Sequence, residues 1–373
     1  MSAYHWLVIL LVLLGFMMRG YRKGNMQYIV LAMILLFCIQ GLRDGETIGN
    51  DSRTSYRLQF LSMEETKWED LRTIQDWWSL DTESASKEGH ERNFALPWLM
   101  KLVYEWGNGD YQWFLALISA IVLSALAVTI QRYSPSPMQS VLYYLGLLYF
   151  AFHMSATKQT VAMSFILLSF HSIIERRPVR FLALVLVASF FHFPALVFLP
   201  AYWIANMKMG RDYIVIVVVV FALTYVFRDQ LVSLMTDTYS TELTMNSSMR
   251  FLANKVIIML IIIAAAMIVR PPDPGDRVYS ALLQLIVIAA VIQTFASYNN
   301  TFERLADYYF QFAIIFVPMV FERVETKRQY LSSRTLNMVS AYGPFVFCAF
   351  SIWRFLDNII SDEHFYTFRF FFQ

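Results

Sequence analysis

The sequence predicts an all-α integral membrane protein, a polytopic bundle of about twelve transmembrane helices with a large outward loop. Three observations carry that reading. Of 373 residues, 57% are hydrophobic and 16% charged, against roughly 25% charged in soluble domains. Apolar runs of span length recur from end to end, and a span takes about 17–25 such residues. Lysines and arginines gather in the short stretches between the runs, the pattern that fixes orientation in a bilayer. The net charge is only +2, so no global field points to nucleic acid, and no nucleic-acid partner is expected.

The runs fall at residues 3–18, 26–42, 111–130, 138–153, 160–174, 212–227, 251–269, 278–294, 308–321 and 335–353. The first lacks a basic stretch before it and a small-residue cleavage site after it, so it reads as a retained helix rather than a signal peptide. Residues 179–205 read either as one long helix broken near Pro194 or as two half-spans meeting at His192. Residues 94–106 are apolar but short and contain Pro97 and Lys101, which suits a re-entrant or interfacial helix.

The basic clusters choose between the two readings of 179–205. They are Arg19, Arg22 and Lys23; Arg132; Arg176, Arg177 and Arg180; Lys208 and Arg211; Arg270 and Arg277; and Arg323, Lys327, Arg328 and Arg334. All fall on one side if 179–205 crosses twice, which places both termini outside. The loop at 43–110 then faces outward. Within it, residues 68–80 place Trp68, Leu71, Ile74 and Trp78 on one helical face, suited to lying in the membrane interface. No Gly/Ser linker, low-complexity tract or fixed-period repeat appears, so a single domain over 1–373 is expected.

Cys38 and Cys348 sit in apolar runs and read as packing residues. Six histidines show no paired ligand spacing, and neither a metal nor another cofactor is expected. His153 and His171 read as satisfied groups within apolar runs. Glu91 reads as a surface acid, and Tyr56, Trp77, Trp78, Tyr298 and Tyr308 either stack on sugars or anchor the interface.

Another set of charges stands at the outer ends of the spans: Arg43, Asp51, Arg53, Lys158, Arg250, Glu303 and Arg304, with His192 among phenylalanines. Ionisable groups at membrane depth are costly and tend to mark sites, although any one of them alone can snorkel to headgroups. Several cations together suit an anionic lipid headgroup, above all a diphosphate, which arginine grips bidentately. Gly41, Gly45 and Gly49 give the segment around Asp51 the freedom to form tight turns. Asp51 itself suits either an ion pair that clamps the loop or a proton-accepting role. His192 suits proton transfer as well, because an imidazole takes up protons near neutral pH.

Four stretches resemble the EpsG family of Wzy-like polysaccharide polymerases, and they do so in the family's order. Leu42-Arg43, Ile48-Gly49-Asn50-Asp51 and Tyr56 resemble its opening Arg, Gly-Thr-Asp and Tyr, with Asn50 in place of Thr. Lys158-Gln159 followed by Ala162 resembles its Arg-Gln-x-x-Ala, with Lys in place of Arg. Phe191-His192 with Ala195-Leu196 resembles Phe-His-x-x-Ala-Leu, and Arg304 with Tyr308-Tyr309-Phe310 and Pro318 resembles the late Arg, Tyr-Phe and Pro.

The resemblance implies a GT-C-like glycosyltransferase that joins oligosaccharide repeat units carried on undecaprenyl diphosphate. It implies the periplasmic face of a bacterial inner membrane, with membrane lipids, a flippase and a chain-length regulator as pathway partners. Asp51 and His192 are the candidate catalytic pair, with Asp51 preferred as base and His192 orienting the acceptor or diphosphate. Arg43, Arg53, Tyr56, Lys158, Gln159, Arg250, Glu303, Arg304 and Tyr308 are the candidate diphosphate and glycan contacts. The alternatives are a polysaccharide ligase, a lipid-linked oligosaccharide flippase or transporter, and a membrane acyltransferase resting on His192 alone. Against transport, no inverted repeat with Gly/Pro-broken helices in matching halves is visible.

Overall fold

The computed structural model describes residues 2–21, 23–49, 51–71, 93–207, 213–227, 230, 249–269, 276–296, 300–330, 334–362, 365 and 368–372. The predicted interfacial helix at 68–80 therefore lies outside the described residues beyond Leu71, as do Glu91, Trp77, Trp78 and Tyr298. No strand is present among the described residues. A single isolated antiparallel bridge joins Arg43 to Phe370.

Among the described residues, the helices before residue 110 are α1 (Ala3–Met18), α2 (Gly24–Gln40), α3 (Arg57–Leu61) and α4 (Ala95–Trp106). A π-helical turn at Ser52–Tyr56 precedes α3. There follow α5 (Tyr111–Tyr133), α6 (Pro137–Gly146), α7 (Tyr149–Ser155), α8 (Thr157–Ile174), α9 (Pro178–Phe191) and α10 (Ala201–Ala205). The rest are α11 (Tyr213–Val226), α12 (Met249–Ile268), α13 (Arg277–Gln293), α14 (Asn300–Phe310), α15 (Ala313–Tyr330) and α16 (Arg334–Ser361).

Local chemistry sets several of these boundaries. The carboxylate of Asp110 accepts the Gln112 N–H at 2.9 Å and so starts α5. Asp276 does the same for α13 through the Tyr279 N–H at 3.1 Å. Pro137 opens α6, where its missing N–H costs nothing.

Among the described residues, two helices, α5 and α16, are long and apolar enough to cross a membrane, and the bent pair α14–α15 adds a third if it forms one span. Further apolar helices, including α1, α2, α9 and α13, are shorter. Among the described residues, two of the spans drawn from hydropathy are divided, and the break expected within 179–205 falls at His192. The run 138–153 is broken between α6 and α7, where Leu148 takes a left-handed φ of 68°. Residues 308–321 bend by 47° at Gln311–Phe312. Residues 179–205 break at His192, where α9 gives way to a 3-10 turn at Phe193–Phe198. Hydropathy averages over the breaks at Leu148 and Gln311–Phe312, because a single polar residue among many apolar ones barely moves the mean of a span-length window.

The break at His192 makes a hairpin. The Tyr202 ring, beyond the turn, lies 5.3 Å from the ring of Phe181 near the start of α9. Asn206 Nδ2 donates to the Ile173 carbonyl at the end of α8, at 3.4 Å. The chain thus returns to the level from which it left.

The contacts divide the chain into two compact units. The first comprises Met1–Ser169, Leu182–Leu196 and Pro344–Gln373. In it α2 packs on α1 and α5, and both α1 and α2 pack on α6. One part of it is an aromatic and aliphatic core of Tyr56, Phe60, Leu96, Met100, Tyr111 and Phe114 with neighbours from α5 and α8. The amphipathic α4 lies on this core. It is anchored by buried Lys101, whose Nζ donates to the Met63 carbonyl at 2.9 Å and pairs with Glu105 at 3.1 Å. The second unit comprises Phe170–Phe181 and Val197–Gly343. It is built around α13, which packs against α10, α11, α12, α14 and α15. Large apolar side chains such as Trp6, Leu13, Phe16 and Met17 on α1 stay exposed, as a bilayer-facing surface requires.

Candidate functional site

The segment from Gly41 to Tyr56 is held against the C-terminal end of α7 by a buried arginine. Arg43 is only 3% exposed. Its guanidinium donates to the Gln40 carbonyl, to Ser52 Oγ at 3.2 Å and to the Met154 carbonyl at 3.0 Å. Met154 lies in the last turn of α7, where free carbonyls and the helix dipole favour a cation. Tyr111 completes the network, donating its hydroxyl to the Ser52 carbonyl at 2.9 Å. Burial pushes the Arg43 guanidinium down from its ordinary value to about 10, so it remains a cation at neutral pH.

Gly49 explains the glycine before Asp51. Its φ is +92°, and a Cβ there would lie 2.5 Å from the Met154 carbonyl oxygen. Only glycine permits both the left-handed backbone and the close approach. Asp51 follows, half-buried, at the start of the π-helical turn. Arg43 directs its donors to Gln40, Ser52 and Met154, and Asp51 is not among its partners. The arginine therefore orders the backbone that carries Asp51 rather than pairing with the carboxylate.

Tyr56 and Lys158 meet. The Tyr56 hydroxyl accepts the Lys158 N–H at 3.5 Å in the first turn of α8. Lys158 Nζ stands 5.7 Å from the Tyr56 ring centroid, within cation–π range. Gln159, next along, is buried at 2% exposure. Arg53 is half-buried on the π turn, two residues from Asp51.

His192 occupies the hairpin tip, half-buried. Its N–H bonds to the Ala188 carbonyl and its carbonyl accepts from the Ala195 N–H, each at 2.9 Å. Asn93 fixes the turn by accepting the Phe193 N–H at 2.8 Å. The ring of Phe191 stacks on Phe165 at 5.8 Å, and both pack on the core that contains Tyr56. The tip of the hairpin and the π turn thus share one hydrophobic support within the first unit.

Arg250, Glu303, Arg304 and Tyr308 belong to the second unit. Arg250 opens α12, and its side chain lies outside the described atoms. Arg304 is exposed and Tyr308 fully buried on α14. Glu303 is engaged by a residue that sequence reading passed over. Lys255 of α12 is buried, with Nζ 2.6 Å from Asp307 Oδ1 and 3.1 Å from Glu303 Oε1. The signal was present, because Glu303 and Asp307 are four apart on one helix face. Lys255 was hidden inside a strongly apolar run. The other missed groups are Ser52, Tyr111 and the C-terminal tail, whose pairing with the loop has no local sequence mark. There the Asp44 N–H bonds to the Arg369 carbonyl at 2.9 Å, and the Phe371 N–H bonds to the Leu42 carbonyl at 3.1 Å.

The EpsG family profile matches residues 26–368. The chain belongs to the EpsG family. The match runs from α2 to the C-terminal tail, so it takes in every candidate residue named above. For this EpsG-family chain, membership together with the many apolar helices gives a membrane protein of polysaccharide biosynthesis. No curated protein and no solved structure matches it.

Proposed function

We propose that this EpsG-family chain is a membrane glycosyltransferase that polymerises oligosaccharide repeat units carried on undecaprenyl diphosphate, at the periplasmic face of a bacterial inner membrane. The observation that supports it most is the family match over residues 26–368, joined to the site around Asp51, Lys158 and His192. About twelve crossings and a GT-C-like arrangement belong to the same proposal, with the shorter apolar helices completing the crossings. The surrounding lipid, a flippase and a chain-length regulator are its proposed partners.

In the proposed reaction an acceptor sugar hydroxyl attacks the anomeric carbon of the donor. A carbon–oxygen bond forms to the acceptor, and the bond from that carbon to the phosphate oxygen breaks. The electron pair leaves with the lipid diphosphate, and the hydroxyl proton passes to a base. Lys158 and Arg53 are assigned to the charge that develops on the departing diphosphate. Lys158 suits this through its place in the first turn of α8, where the helix dipole also favours an anion. Asp51 is assigned as base and His192 as the group that orients the acceptor hydroxyl or the diphosphate. Arg43 is assigned a positioning role, because both of its terminal guanidinium nitrogens are engaged by the protein itself.

The test is a liposome assay with purified protein and lipid-linked repeat units. A ladder of lengthening lipid-linked glycan is expected, with release of undecaprenyl diphosphate. Transfer of preformed glycan to a different acceptor would identify a ligase, and movement across the bilayer without lengthening a flippase; either result sinks the proposal. Within the assay, Asp51→Asn is expected to lose turnover while still binding substrate. If His192→Gln loses the rate and Asp51→Asn keeps most of it, the two roles are exchanged. Lys158→Arg, which restores the family residue, is expected to be tolerated.

A further inference from the structure

A groove of about 460 Å³ opens beside Arg43 within the first unit. Four stretches of the chain form it: residues 44–46 after α2, α3, the turn into α5 and the C-terminal tail. Its polar walls are Asp44, Glu46, Arg57, Asp110 and Arg369, and the Phe371 ring, half exposed, contributes an apolar face. The volume falls in the range of roughly 300–1,000 Å³ usual for small-molecule sites.

The groove is a built feature. Its floor is locked by the bonds between Asp44 and Arg369 and between Leu42 and Phe371. Asp44 is oriented by the Glu46 N–H at 3.0 Å and the Thr47 hydroxyl at 2.9 Å. Asp110 is held by its cap on α5, and Glu46 is paired with Arg57. Gly45 keeps the wall thin, since a Cβ there would stand 2.7 Å from the Tyr111 ring.

The mixture of groups narrows the ligand class. An anion would meet the carboxylates of Asp44, Glu46 and Asp110; a cation would meet Arg57 and Arg369. A neutral ligand rich in hydroxyls suits both sets, because carboxylates accept from hydroxyls and guanidinium groups donate to them. A sugar ring adds an apolar face of C–H groups for the exposed Phe371 ring. We propose that this groove binds saccharide units of the glycan, as a subsite for the acceptor chain beside the Asp51 loop. The assignment to the acceptor rests on the polymerase reading; saccharide binding by the groove does not.

The experiment uses full-length protein in nanodiscs. The probe is the host strain's own polymer, cleaved from lipid and reduced to short oligosaccharides. Arg369→Ala/Phe371→Ala strips two walls of the groove and leaves the backbone bonds of the tail in place. Glu46→Gln is a milder second variant, in case the double variant is lost from the membrane. Saccharide binding by wild type is expected, weakened about tenfold or more in the double variant and less in Glu46→Gln. In the liposome assay both variants are expected to raise the KM for acceptor, leave kcat nearly unchanged and shorten the products. Wild-type affinity in both variants, or no saccharide binding by wild type, overturns the groove. If wild type binds saccharide through the groove but never lengthens lipid-linked glycan, the polymerase reading falls and the groove stands.

Discussion

At the scale of single residues, Gly49 and Arg43 decide whether the Asp51 loop keeps its shape. Gly49→Ala would force a side chain into a left-handed backbone and against the Met154 carbonyl. Strain of about 1–3 kcal/mol is expected, with a lower melting temperature in detergent and loss of polymer; Ala tolerated on both counts would refute the close approach. Arg43→Met keeps much of the volume but strips the donors from the Gln40 and Met154 carbonyls and Ser52. Bonds to a charged donor contribute about 1.5–3 kcal/mol each, so clear destabilisation is expected. The pH dependence of that loss has a definite sign. The folded value, about 10, lies below the ordinary 12.5, so the unfolded chain holds this proton more tightly. The contribution of the group is therefore flat below pH 10 and changes only above it. The melting-temperature gap between wild type and Arg43→Met should stay constant from about pH 6 to 9. A gap that opens or closes in that window would show that another titrating group is coupled to Arg43.

At the scale of elements, α12 and α14 are joined by Lys255, Glu303 and Asp307. Two carboxylates share one buried ammonium, so removing the ammonium leaves uncompensated negative charge in a low-dielectric setting. Breaking a buried pair in this way costs about 3–5 kcal/mol. Lys255→Met should sharply reduce the amount of folded protein recovered in detergent. Adding Glu303→Gln and Asp307→Asn to it should restore much of the loss, because the orphaned charges are gone. If the triple variant is no better than Lys255→Met, the lysine stabilises by packing its stem rather than by charge. Glu303 was singled out in the sequence as a charge at the outer end of a span, whereas its partner was not. Pairing across 48 residues leaves no local pattern, and hydropathy reads one lysine in an apolar helix as noise. The breaks at Leu148 and Gln311–Phe312 were illegible for a related reason: the left-handed φ of Leu148 is a matter of backbone geometry, and one glutamine in an apolar run does not mark a break. The turn back at His192 was expected because the charge clusters on either side favoured two short half-spans meeting there.

At the scale of the whole molecule, each unit has ends that can be compared with the orientation drawn from lysine and arginine. In the first unit the Tyr4 ring meets the Phe368 ring at 5.5 Å, and Phe370 pairs with Arg43. The N-terminal helix, the C-terminal tail and the start of the outward loop therefore share one end. Arg19 and Pro135 line one cavity of about 240 Å³, so the loops after α1 and α5 are also neighbours. In the second unit Arg323 bonds to Asp276, and Lys327 Nζ donates to the Ile268 carbonyl at 2.6 Å. Loops assigned to one face by charge are thus neighbours in space within each unit. The sequence cannot show such proximity, but its charge pattern anticipates it, because lysine and arginine resist translocation in every loop alike. The proposed compartment rests on the same bias and makes the final prediction. Both termini and the Asp51 loop should face the periplasm, so the reaction should consume lipid-linked repeats only from that side. Cysteines placed at Leu58 and Thr326 should label oppositely with an impermeant thiol reagent in spheroplasts, Leu58→Cys reacting and Thr326→Cys remaining protected. Right-side-out vesicles given externally inserted lipid-linked repeats should lengthen them, and inverted vesicles should not until permeabilised. Elongation by sealed inverted vesicles alone, with Thr326→Cys labelled in spheroplasts, would invert the orientation and place the chemistry on the cytoplasmic face.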